Sequence, residues 1–326
     1  MRPGLLLRYA LLALMLAAAW PEGAAAQTYP SRPIRLIVPF PPGGAADILA
    51  RLIGNKVAEQ IGQPLVVENR PGAGGTLGAD AAAKSPPDGH TILHNTNGAA
   101  IAPALYRTLP FDGVNDFAPV TQIVASNLVL VAGPKSGIDT VKDLLARARA
   151  NPGKLNYGSS GPGNPLHLTM EMLKNAANVD IVAVPFRGDG HIHAALIAGE
   201  VEVAVIPLSA AVPLIQEGRL KALAVTGPKR SEPVAQVPTV AEAADLPGFA
   251  SAGWQGWFMP AATPAPIVAR IRDEVARTIA LPEINQRLRG MAYEPVGSTP
   301  ADFTAHFRAE VMKFAKIIAD AKITRQ

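Results

Sequence analysis

Short apolar runs alternate with amphipathic stretches along this chain, and that alternation restricts the possible folds more than any other feature. IRLIV (34–38), PLVVEN (64–69) and TILHN (91–95) have the character of strands. Between the first two, DILARLIGNKVAEQIG (47–62) places its apolar residues on one helical face, and Gly62 is a suitable stop. Strands that alternate with helices predict a parallel sheet covered by helices.

The middle of the chain repeats this pattern. NLVLVA (127–132) and LKALAVTG (220–227) are predicted strands. KLNYGSSGPGNPLHLTMEMLKNAA (154–177) is a predicted strand, a glycine loop and a helix. The sequence therefore contains two similar α/β blocks.

Threonines mark three predicted helix starts. Thr140 is followed three residues later by Asp143, and Thr239 by Glu242, which is the spacing of a capping box. Thr299 is also a candidate N-cap, with a proline at the first helical position.

Two α/β blocks, followed by helices that need a surface to pack on, predict an α/β protein with two lobes. We expect each lobe to hold a mostly parallel sheet flanked by helices, with a ligand cleft between the lobes. The predicted boundaries place residues 27–125 and 256–326 in lobe 1 and residues 126–255 in lobe 2. The chain would then cross between the lobes more than once.

The first residues have the three regions of a secretory signal peptide. Arg2 and Arg8 precede an apolar run, and Ala24 and Ala26 have the spacing of a cleavage site. We predict a signal peptide over residues 1–26, cleaved after Ala26, and a periplasmic mature chain that does not insert into the membrane. An uncleaved anchor is the alternative. The sequence contains no cysteine, which excludes a lipidated cysteine, disulfides and thiolate chemistry.

Composition and histidine spacing argue against two further classes of partner. The net charge of +4 is scattered and aromatic residues are 5% of the chain, so nucleic-acid binding is not expected. His191 and His193 are two residues apart and would point in different directions. His90 and His94 lie in a strand-like segment that separates their side chains. We predict no metal site and no cofactor.

The loop VPFPPGGAAD (38–47) joins a predicted buried strand to a helix. Gly43 and Gly44 allow close approach of the backbone, and the N–H groups of Gly44 and Ala45 have no partner inside the helix. Because ligands of α/β proteins bind at the carboxyl ends of parallel strands, an anion fits here. A tight turn without a ligand is the alternative.

A second loop has the same arrangement. NYGSSGPGNPLHL (156–168) places small residues between a strand and a helix, and adds the hydroxyls of Ser159 and Ser160. Two such helix starts that face each other across a cleft could hold both sides of one carboxylate. His167 is either a neighbour of the ligand or a capping and packing residue. The glycine run at 68–80 either contributes in the same way or shapes the wall.

Other glycine-rich motifs do not fit these loops. A dinucleotide fingerprint starting at Gly72 would need glycine where Leu77 stands. No glycine loop ends in the Gly-Lys-Ser/Thr of a phosphate-binding loop. A hydrolase nucleophile elbow over 158–162 would need glycine in place of Pro162.

Two charged residues on these loops have two interpretations each. Asp47 lies at a helix start, where it favours the helix dipole, or it accepts a hydrogen bond from the ligand. Arg187, in PFRGDG, either pairs with a second carboxylate or is a solvated loop residue.

The order of motifs resembles the substrate-binding proteins of tripartite tricarboxylate transporters, often called the Bug family. The resemblance is carried by YPSRPIRLIVPFPPGGAADILAR, VVENRPGAGGTLGAD, SPPDGHTIL, DFAPVT, NPGKLNYGSSGPGNPLHL, VPFRGDG, PTVAEA and the PAATP turn. It covers essentially the whole mature chain. It implies a type II periplasmic binding protein with two lobes, which holds a ligand carboxylate between them, partly through water.

Carried onto this sequence, the resemblance implies a binding site built from three loops, at 41–47, 158–167 and 186–189. The ligand-binding residues predicted from it are Pro42, Gly43, Gly44, Ala45, Asp47, Ser159, Ser160, Gly161, His167, Arg187, Gly188 and Asp189. The family's ligands are small acids: dicarboxylates, tricarboxylates, acidic amino acids and aromatic carboxylates.

The sequence departs from the family pattern at three places. Ala46 stands where relatives often have threonine, Asp189 where glycine or serine is usual, and His90 where tyrosine is usual. These changes leave the main-chain grip on a carboxylate intact but leave the rest of the ligand open.

The resemblance implies a monomeric clamshell that binds a small carboxylate and delivers it to a tripartite tricarboxylate-type permease. No catalytic group is expected. The alternatives are a sensor that signals to a regulator, or an enzyme on the same fold with Asp47 and His167 as an acid–base pair.

Overall fold

The computed structural model describes residues 29–186 and 189–326. The predicted signal peptide and its cleavage site lie outside these ranges, as do Arg187 and Gly188. Within them the strands are β1 (Ile34–Val38), β2 (Leu65–Asn69), β3 (Thr91–Thr96), β4 (Phe117–Ser126), β5 (Leu128–Ala132), β6 (Asn156–Ser159), β7 (Val182–Pro185), β8 (Val203–Pro207), β9 (Lys221–Val225), β10 (Gly253–Pro260) and β11 (Tyr293–Pro295).

The α-helices alternate with these strands, as the sequence predicts. They are α1 (Ala45–Ile61), α2 (Thr76–Ala83), α3 (Gly98–Leu105), α4 (Val141–Ala150), α5 (Pro165–Ala177), α6 (Asp189–Ala198), α7 (Leu208–Gln216), α8 (Val240–Ala244), α9 (Ala265–Ala280), α10 (Pro282–Gly290) and α11 (Pro300–Asp320).

The strands form two sheets, and helices flank each of them. The first sheet has the order β11-β4-β10-β3-β1-β2, and the second has the order β7-β6-β8-β5-β9. Strands β1, β2 and β3 are parallel to one another, as are β6, β7 and β8. The fold is the predicted two-lobed α/β fold.

Each sheet is mixed, so the prediction of mostly parallel sheets is wrong in that detail. Strand β10 is antiparallel to both β3 and β4, and β5 is antiparallel to both β8 and β9. The reason lies in the chain path. The parallel strands run toward the other sheet, whereas β5 and β10 each enter their sheet from that side and run away from it.

The first crossing between the sheets is very short. Strand β4 ends at Ser126 and β5 begins at Leu128, so Asn127 alone separates them. The Asn127 carbonyl accepts a hydrogen bond from the Leu208 N–H at 3.0 Å. Its side-chain amide donates to the Ser231 hydroxyl at 3.1 Å. The chain therefore passes straight from one sheet into the next.

The predicted threonine caps are confirmed. The Thr140 hydroxyl accepts from the Asp143 N–H at 3.0 Å, and the Thr299 hydroxyl accepts from the N–H three residues on. Thr239 and Glu242 form the full reciprocal capping box. Each cap satisfies N–H groups that the first helical turn leaves without partners, which fixes where the helix begins.

Buried apolar side chains cover both faces of both sheets. On the first sheet, α1, α9 and α10 cover one face, and α2, α3 and α11 cover the other. On the second sheet, one face packs against α4, α5 and α8 and the other against α6 and α7. Leu168 of α5 packs in the aromatic cluster around Phe303 and Phe307 of α11, so apolar packing also joins the two lobes.

Across residues 29–186 and 189–326, no helix is both long enough and apolar enough to span a membrane.

Candidate functional site

A cavity of about 700 Å³ lies where loops from the two sheets meet, and we call it the cleft cavity. Its walls come from the loops that follow β1, β2, β3 and β6, so it sits at the carboxyl ends of parallel strands of both sheets. The lining residues are Pro39, Phe40, Pro41, Pro71, Gly72, Gly74, Gly75, Thr96, Gly98, Ile101, Ala102, Leu105, Tyr106, Ser160, Pro162, Gly163, Asn164, Pro165 and Gln326.

The first predicted loop borders this cavity through its leading half. Pro39, Phe40 and Pro41 line the cavity. The residues of the trailing half are exposed and lie beside it rather than in its lining: Pro42, Gly43, Gly44 and Ala45. The first hydrogen bond of α1 runs from the Ile48 N–H to the Gly44 carbonyl, so the preceding N–H groups have no partner within the helix.

Asp47 is a buried carboxylate that holds this loop in shape. Only 3% of the residue is exposed. Its oxygens accept from the Gly43 N–H at 2.9 Å, from Arg51 Nε at 3.0 Å and from Asn69 Nδ2 at 3.0 Å. The hydrogen bond from Arg51 is the main reason that the pKa of Asp47 falls to about 2. Asp47 therefore has protein partners on both oxygens.

The second predicted loop enters the cavity through Ser160. The Ser160 Oγ is buried and has no hydrogen-bond partner within the described residues. Ser159 is turned inward, and its Oγ accepts from the Gly161 N–H at 3.2 Å. Asn164 caps α5 by accepting from the Leu166 N–H at 2.9 Å. Among the described residues, the Ser160 Oγ is thus the hydroxyl oxygen of this loop that has no hydrogen-bond partner.

His167 lies behind the loop, on the inner side of α5. It is 8% exposed, and its ring packs against Tyr157 with the centroids 6.2 Å apart. Burial lowers the pKa of its imidazole, and Nδ1 has no hydrogen-bond partner among the described residues. His167 and Asp47 thus belong to separate networks, which does not favour the acid–base pair considered from the sequence.

The third predicted loop is described in part. Arg187 and Gly188 lie outside the described residues, and Asp189 is the first residue of α6. The Phe186 N–H donates to the Ser159 carbonyl at 2.8 Å. This bond places the start of the third loop beside the second.

The glycine run after β2 forms part of the cavity wall. Gly72, Gly74 and Gly75 have φ values of +132°, +63° and +95°. A Cβ at Gly74 would clash with the hydroxyl of Tyr106, which donates to the Ala73 carbonyl at 3.2 Å. The left-handed backbone conformation favours glycine at these positions, and a side chain at Gly74 would also have to displace the Tyr106 hydroxyl.

Several lining residues were not predicted from the sequence. Ile101, Leu105 and Tyr106 form a wall from α3, and Gln326 reaches the cavity from the end of the chain. The segment GAAIAPAL of α3 is apolar throughout, so it has no amphipathic period that would mark it as a helix. No motif in the sequence singles these positions out.

The buried histidine of β3 is held by neighbours in the first sheet. Trp257 Nε1 donates to His94 Nδ1 at 3.1 Å, and His94 Nε2 lies 2.8 Å from Gln255 Oε1. Burial lowers the pKa of His94 to about 4. Among the described residues, no cluster of three or more histidine, aspartate or glutamate side chains could hold a metal ion.

A fold of two α/β lobes with a cavity between their loops defines a binding protein of the periplasmic type. The family model described as "Tripartite tricarboxylate transporter family receptor" matches residues 49–323. The chain belongs to that family.

Named relatives agree with this assignment. Protein BugT of Bordetella pertussis is 32% identical over 297 residues, which is 90% of this chain and 91% of BugT. The structure of R. palustris Rpa4515 with adipate is 36% identical with a TM-score of 0.77, and the match covers 91% of this chain and 99% of that one. MatC from Rhodopseudomonas palustris with bound malate is 31% identical with a TM-score of 0.73, over 89% and 100%.

Proposed function

We propose that this protein captures a small organic carboxylate in the cleft cavity and delivers it to the permease of a tripartite tricarboxylate-type transporter. The observation that carries the proposal is the cavity itself, whose lining comes from loops of both sheets and includes Ser160, whose buried Oγ has no hydrogen-bond partner among the described residues. Adipate in Rpa4515 and malate in MatC support a carboxylate as the ligand.

The cavity presents helix dipoles and hydroxyl groups to a bound anion. The starts of α2, α3 and α5 border it through Gly75, which precedes α2, and through Gly98 and Pro165. The N–H groups of Gly75, Gly98 and Leu166 already donate to protein acceptors, so what these helix starts offer a carboxylate is the partial positive charge of the helix dipole. The Ser160 O–H can donate a further hydrogen bond to the same group.

We assign the predicted residues to three tasks. The residues assigned to contact the ligand, or to form the edge of the cavity that closes over it, are Pro42, Gly43, Gly44, Ala45, Ser160 and Gly161. Support of loop and helix is assigned to Asp47, Ser159 and His167. Adjustment of specificity is assigned to Arg187, Gly188 and Asp189.

Binding is coupled to closure of the lobes. A carboxylate that contacts loops of both sheets has a higher affinity for the closed arrangement, and so shifts the population toward it. The permease would recognise that closed form. In this proposal the mature chain is a periplasmic monomer, exported by the signal peptide over residues 1–26, with lobes formed by 27–125 plus 256–326 and by 126–255.

A thermal-shift assay tests the proposal. The mature protein is refolded from denaturant, to remove any acid carried from the host, and heated with malate, adipate, citrate, glutamate or benzoate. A ligand at a hundred times its dissociation constant stabilises by about 2.7 kcal/mol. At roughly 2–4 °C per kcal/mol we expect a rise of several degrees with at least one acid. Refolded protein that melts normally and responds to none of them would overturn the proposal.

Ser160→Ala tests whether the carboxylate is held in the cleft cavity. A hydrogen bond to a charged group contributes about 1.5–3 kcal/mol, so we expect roughly 10–100-fold weaker binding of the acid that gives the largest shift. Because the Ser160 Oγ has no hydrogen-bond partner in the part of the chain that the structure describes, the ligand-free melting temperature should not fall. Ser85→Ala is the control, because that hydroxyl donates to the Ala81 carbonyl at the far end of α2.

A further inference from the structure

Residues 321–326 follow α11, and we call them the strap. Lys322 has a φ of +51°, and its N–H donates to the Ala319 carbonyl at 3.1 Å. The Ile323 N–H donates to the Ile318 carbonyl at 3.0 Å. This is the Schellman pattern, which ends a helix and turns the chain away from the helix axis. Ile323 then packs against the apolar cluster to which Ile318 belongs, so the backbone and the core together fix the direction of the strap.

The strap lies beside the end of α3. The Gln326 N–H donates to the Leu105 carbonyl at 2.8 Å, which is one of the carbonyls that a helix end leaves without a partner. The Arg107 N–H donates to the Gln326 carbonyl at 2.7 Å. Arg325 Nη2 donates to the Tyr106 carbonyl at 2.7 Å. The bonds at Gln326 use its backbone, so its side chain is not needed to hold the strap.

Gln326 lines the cleft cavity together with Leu105 and Tyr106. A Cβ at Gly163 would lie 2.6 Å from Leu105, so this part of the wall contacts the second predicted loop, to which Ser160 also belongs. Gln326 is exposed. The side-chain amide of glutamine carries two N–H donors and one carbonyl acceptor. The strap therefore adds an amide to the same lining to which the second lobe contributes Ser160.

Two arginines accompany Gln326 at this side of the cavity. Arg107 Nε donates to the Arg325 carbonyl at 3.2 Å, and Arg325 Nη2 donates to the Tyr106 carbonyl. Both arginines are exposed. Because these partners are neutral carbonyls, they do not cancel the positive charges of the two guanidinium groups. Charges of one sign beside a cleft raise the local concentration of an oppositely charged ligand, so this side of the cavity favours an anion.

We infer that Gln326 contacts the bound acid, with its side-chain Nε2 donating a hydrogen bond to a carboxylate oxygen. The inference rests on the proposed function. Arg325 is a positioning residue, because its bond to the Tyr106 carbonyl holds the strap against the end of α3. Donors then reach the ligand from both lobes, Ser160 from the second and Gln326 from the first. A ligand held in this way favours the closed arrangement of the lobes.

Gln326→Glu tests this contact. The substitution keeps the size of the side chain and the backbone bonds of the strap, but it replaces the amide donor with a carboxylate that repels an anion. The mature protein is refolded from denaturant and titrated by isothermal calorimetry at neutral pH with the acid that gives the largest thermal shift. Since the lost hydrogen bond is one to a charged group, we expect binding at least about 10-fold weaker.

Two further variants separate the contact from general effects. Gln326→Ala removes the amide without adding charge, and should also weaken binding about 10-fold. Gln286→Glu is the matched control. It adds the same charge at an exposed position of α10, which packs on the opposite face of the first sheet from α3 and α11. Because salt screens distant charges, it should change the affinity by less than about 2-fold.

The possible outcomes separate this inference from the proposed function. The ligand-free melting temperatures of the variants should stay near that of the wild type, because backbone bonds hold the strap. If folded Gln326→Glu and Gln326→Ala bind the acid as tightly as the wild type, the inference is overturned and carboxylate capture stands. If Gln286→Glu weakens binding as much as Gln326→Glu, the effect is one of net charge and the inference is also overturned. If the folded wild type binds none of malate, adipate, citrate, glutamate and benzoate, the proposed function itself is wrong.

Discussion

The Gly43 N–H donates a hydrogen bond of 2.9 Å to the carboxylate of Asp47, so a charged side chain four residues further on fixes the turn after β1. The same carboxylate accepts from Arg51 and from Asn69, which lies at the end of the neighbouring strand. One buried negative charge therefore ties the glycine turn, the first helix and β2 together. The shape of the loop after β1, which borders the cleft cavity, depends on that charge.

Asp47→Asn should lower the free energy of unfolding at pH 7 by about 1–2 kcal/mol, because charge-assisted bonds become neutral ones. The pKa of Asp47 is lowered from 3.8 to about 2 in the folded protein. A carboxyl with a depressed pKa stabilises fully above its unfolded pKa and loses that contribution as the pH falls through the folded value. The difference between wild type and variant should therefore shrink between pH 4 and pH 2.

Urea unfolding at pH 7, 4, 3 and 2 measures this dependence. The control is Asp273→Asn, which alters an exposed pair with Arg272 and should change stability by less than about 0.5 kcal/mol. If the difference in free energy of unfolding between the wild type and Asp47→Asn does not change with pH, the lowered pKa of Asp47 is contradicted.

His94→Gln should weaken the acid sensitivity of the fold. Burial lowers the pKa of His94 from 6.5 to about 4, so the unfolded chain binds more protons than the folded one between those values. Stability conferred by the neutral ring is complete above about pH 6.5 and declines as the pH falls toward 4. Removing one such group should reduce the slope of stability against pH by at most about 1.4 kcal/mol per pH unit in that window.

Stability measured by urea at pH 7, 6, 5 and 4.5 gives that slope. Burial also lowers the pKa of His167 and His306, so part of the acid sensitivity should survive in the variant. His306→Gln is a matched comparison at a less buried ring. An unchanged slope in His94→Gln would show that His94 is not the group responsible.

Gly74→Ala should be more destabilising than an alanine placed at another left-handed glycine. Gly74 and Gly218 have φ values of +63° and +68°, so alanine meets the same backbone strain at both, about 1–2 kcal/mol. A Cβ at Gly218 meets open space, whereas at Gly74 it meets the Tyr106 hydroxyl. We expect an additional loss of about 1–3 kcal/mol for Gly74→Ala.

A double-mutant cycle with Tyr106→Phe identifies the cause. Removing the Tyr106 hydroxyl should restore part of the stability that Gly74→Ala loses beyond the backbone strain. It should restore no stability to the variant with alanine at Gly218. Equal destabilisation by the two glycine variants would mean that backbone conformation alone explains both.

Glu232→Gln should change stability by less than about 1 kcal/mol, although the residue forms an ion pair between the lobes. Arg289 Nη1 lies 3.2 Å from its carboxylate, and both side chains are more than half exposed. Exposed ion pairs contribute little because water and salt screen them. Chemical unfolding in low and high salt measures the effect, and a loss above 2 kcal/mol would show that the pair is shielded from solvent.

The sequence predicted most elements because their signals are local. A buried strand such as β1 is an apolar run of the right length, and Thr239 with Glu242 marks a helix start within four residues. Strand direction is not local, which is why the antiparallel course of β5 and β10 was missed. It follows from where the chain crosses between the sheets.

The same limit applies to the candidate site, where local patterns were predictable from the sequence and contacts between distant residues were not. The loops with Gly43 and Ser160 carry a recognisable pattern, because a glycine turn before a helix is written in consecutive residues. The contact of Asp47 with Asn69 joins residues 22 positions apart and leaves no trace in either segment. Leu105 and Tyr106 reach the cavity only through packing, and their residue types alone do not suggest a ligand.

Asn127 gives the molecule an unusual intolerance to changes in length. Most loops of an α/β protein can gain or lose residues over evolution, since they lie on the surface. Between Ser126 and Leu128 there is less freedom, because successive residues of an extended chain face opposite sides. A single residue inserted there would turn the inward face of one sheet outward unless a bulge took it up, of the kind indicated by the register shifts where β4 pairs with β10 and β5 pairs with β9.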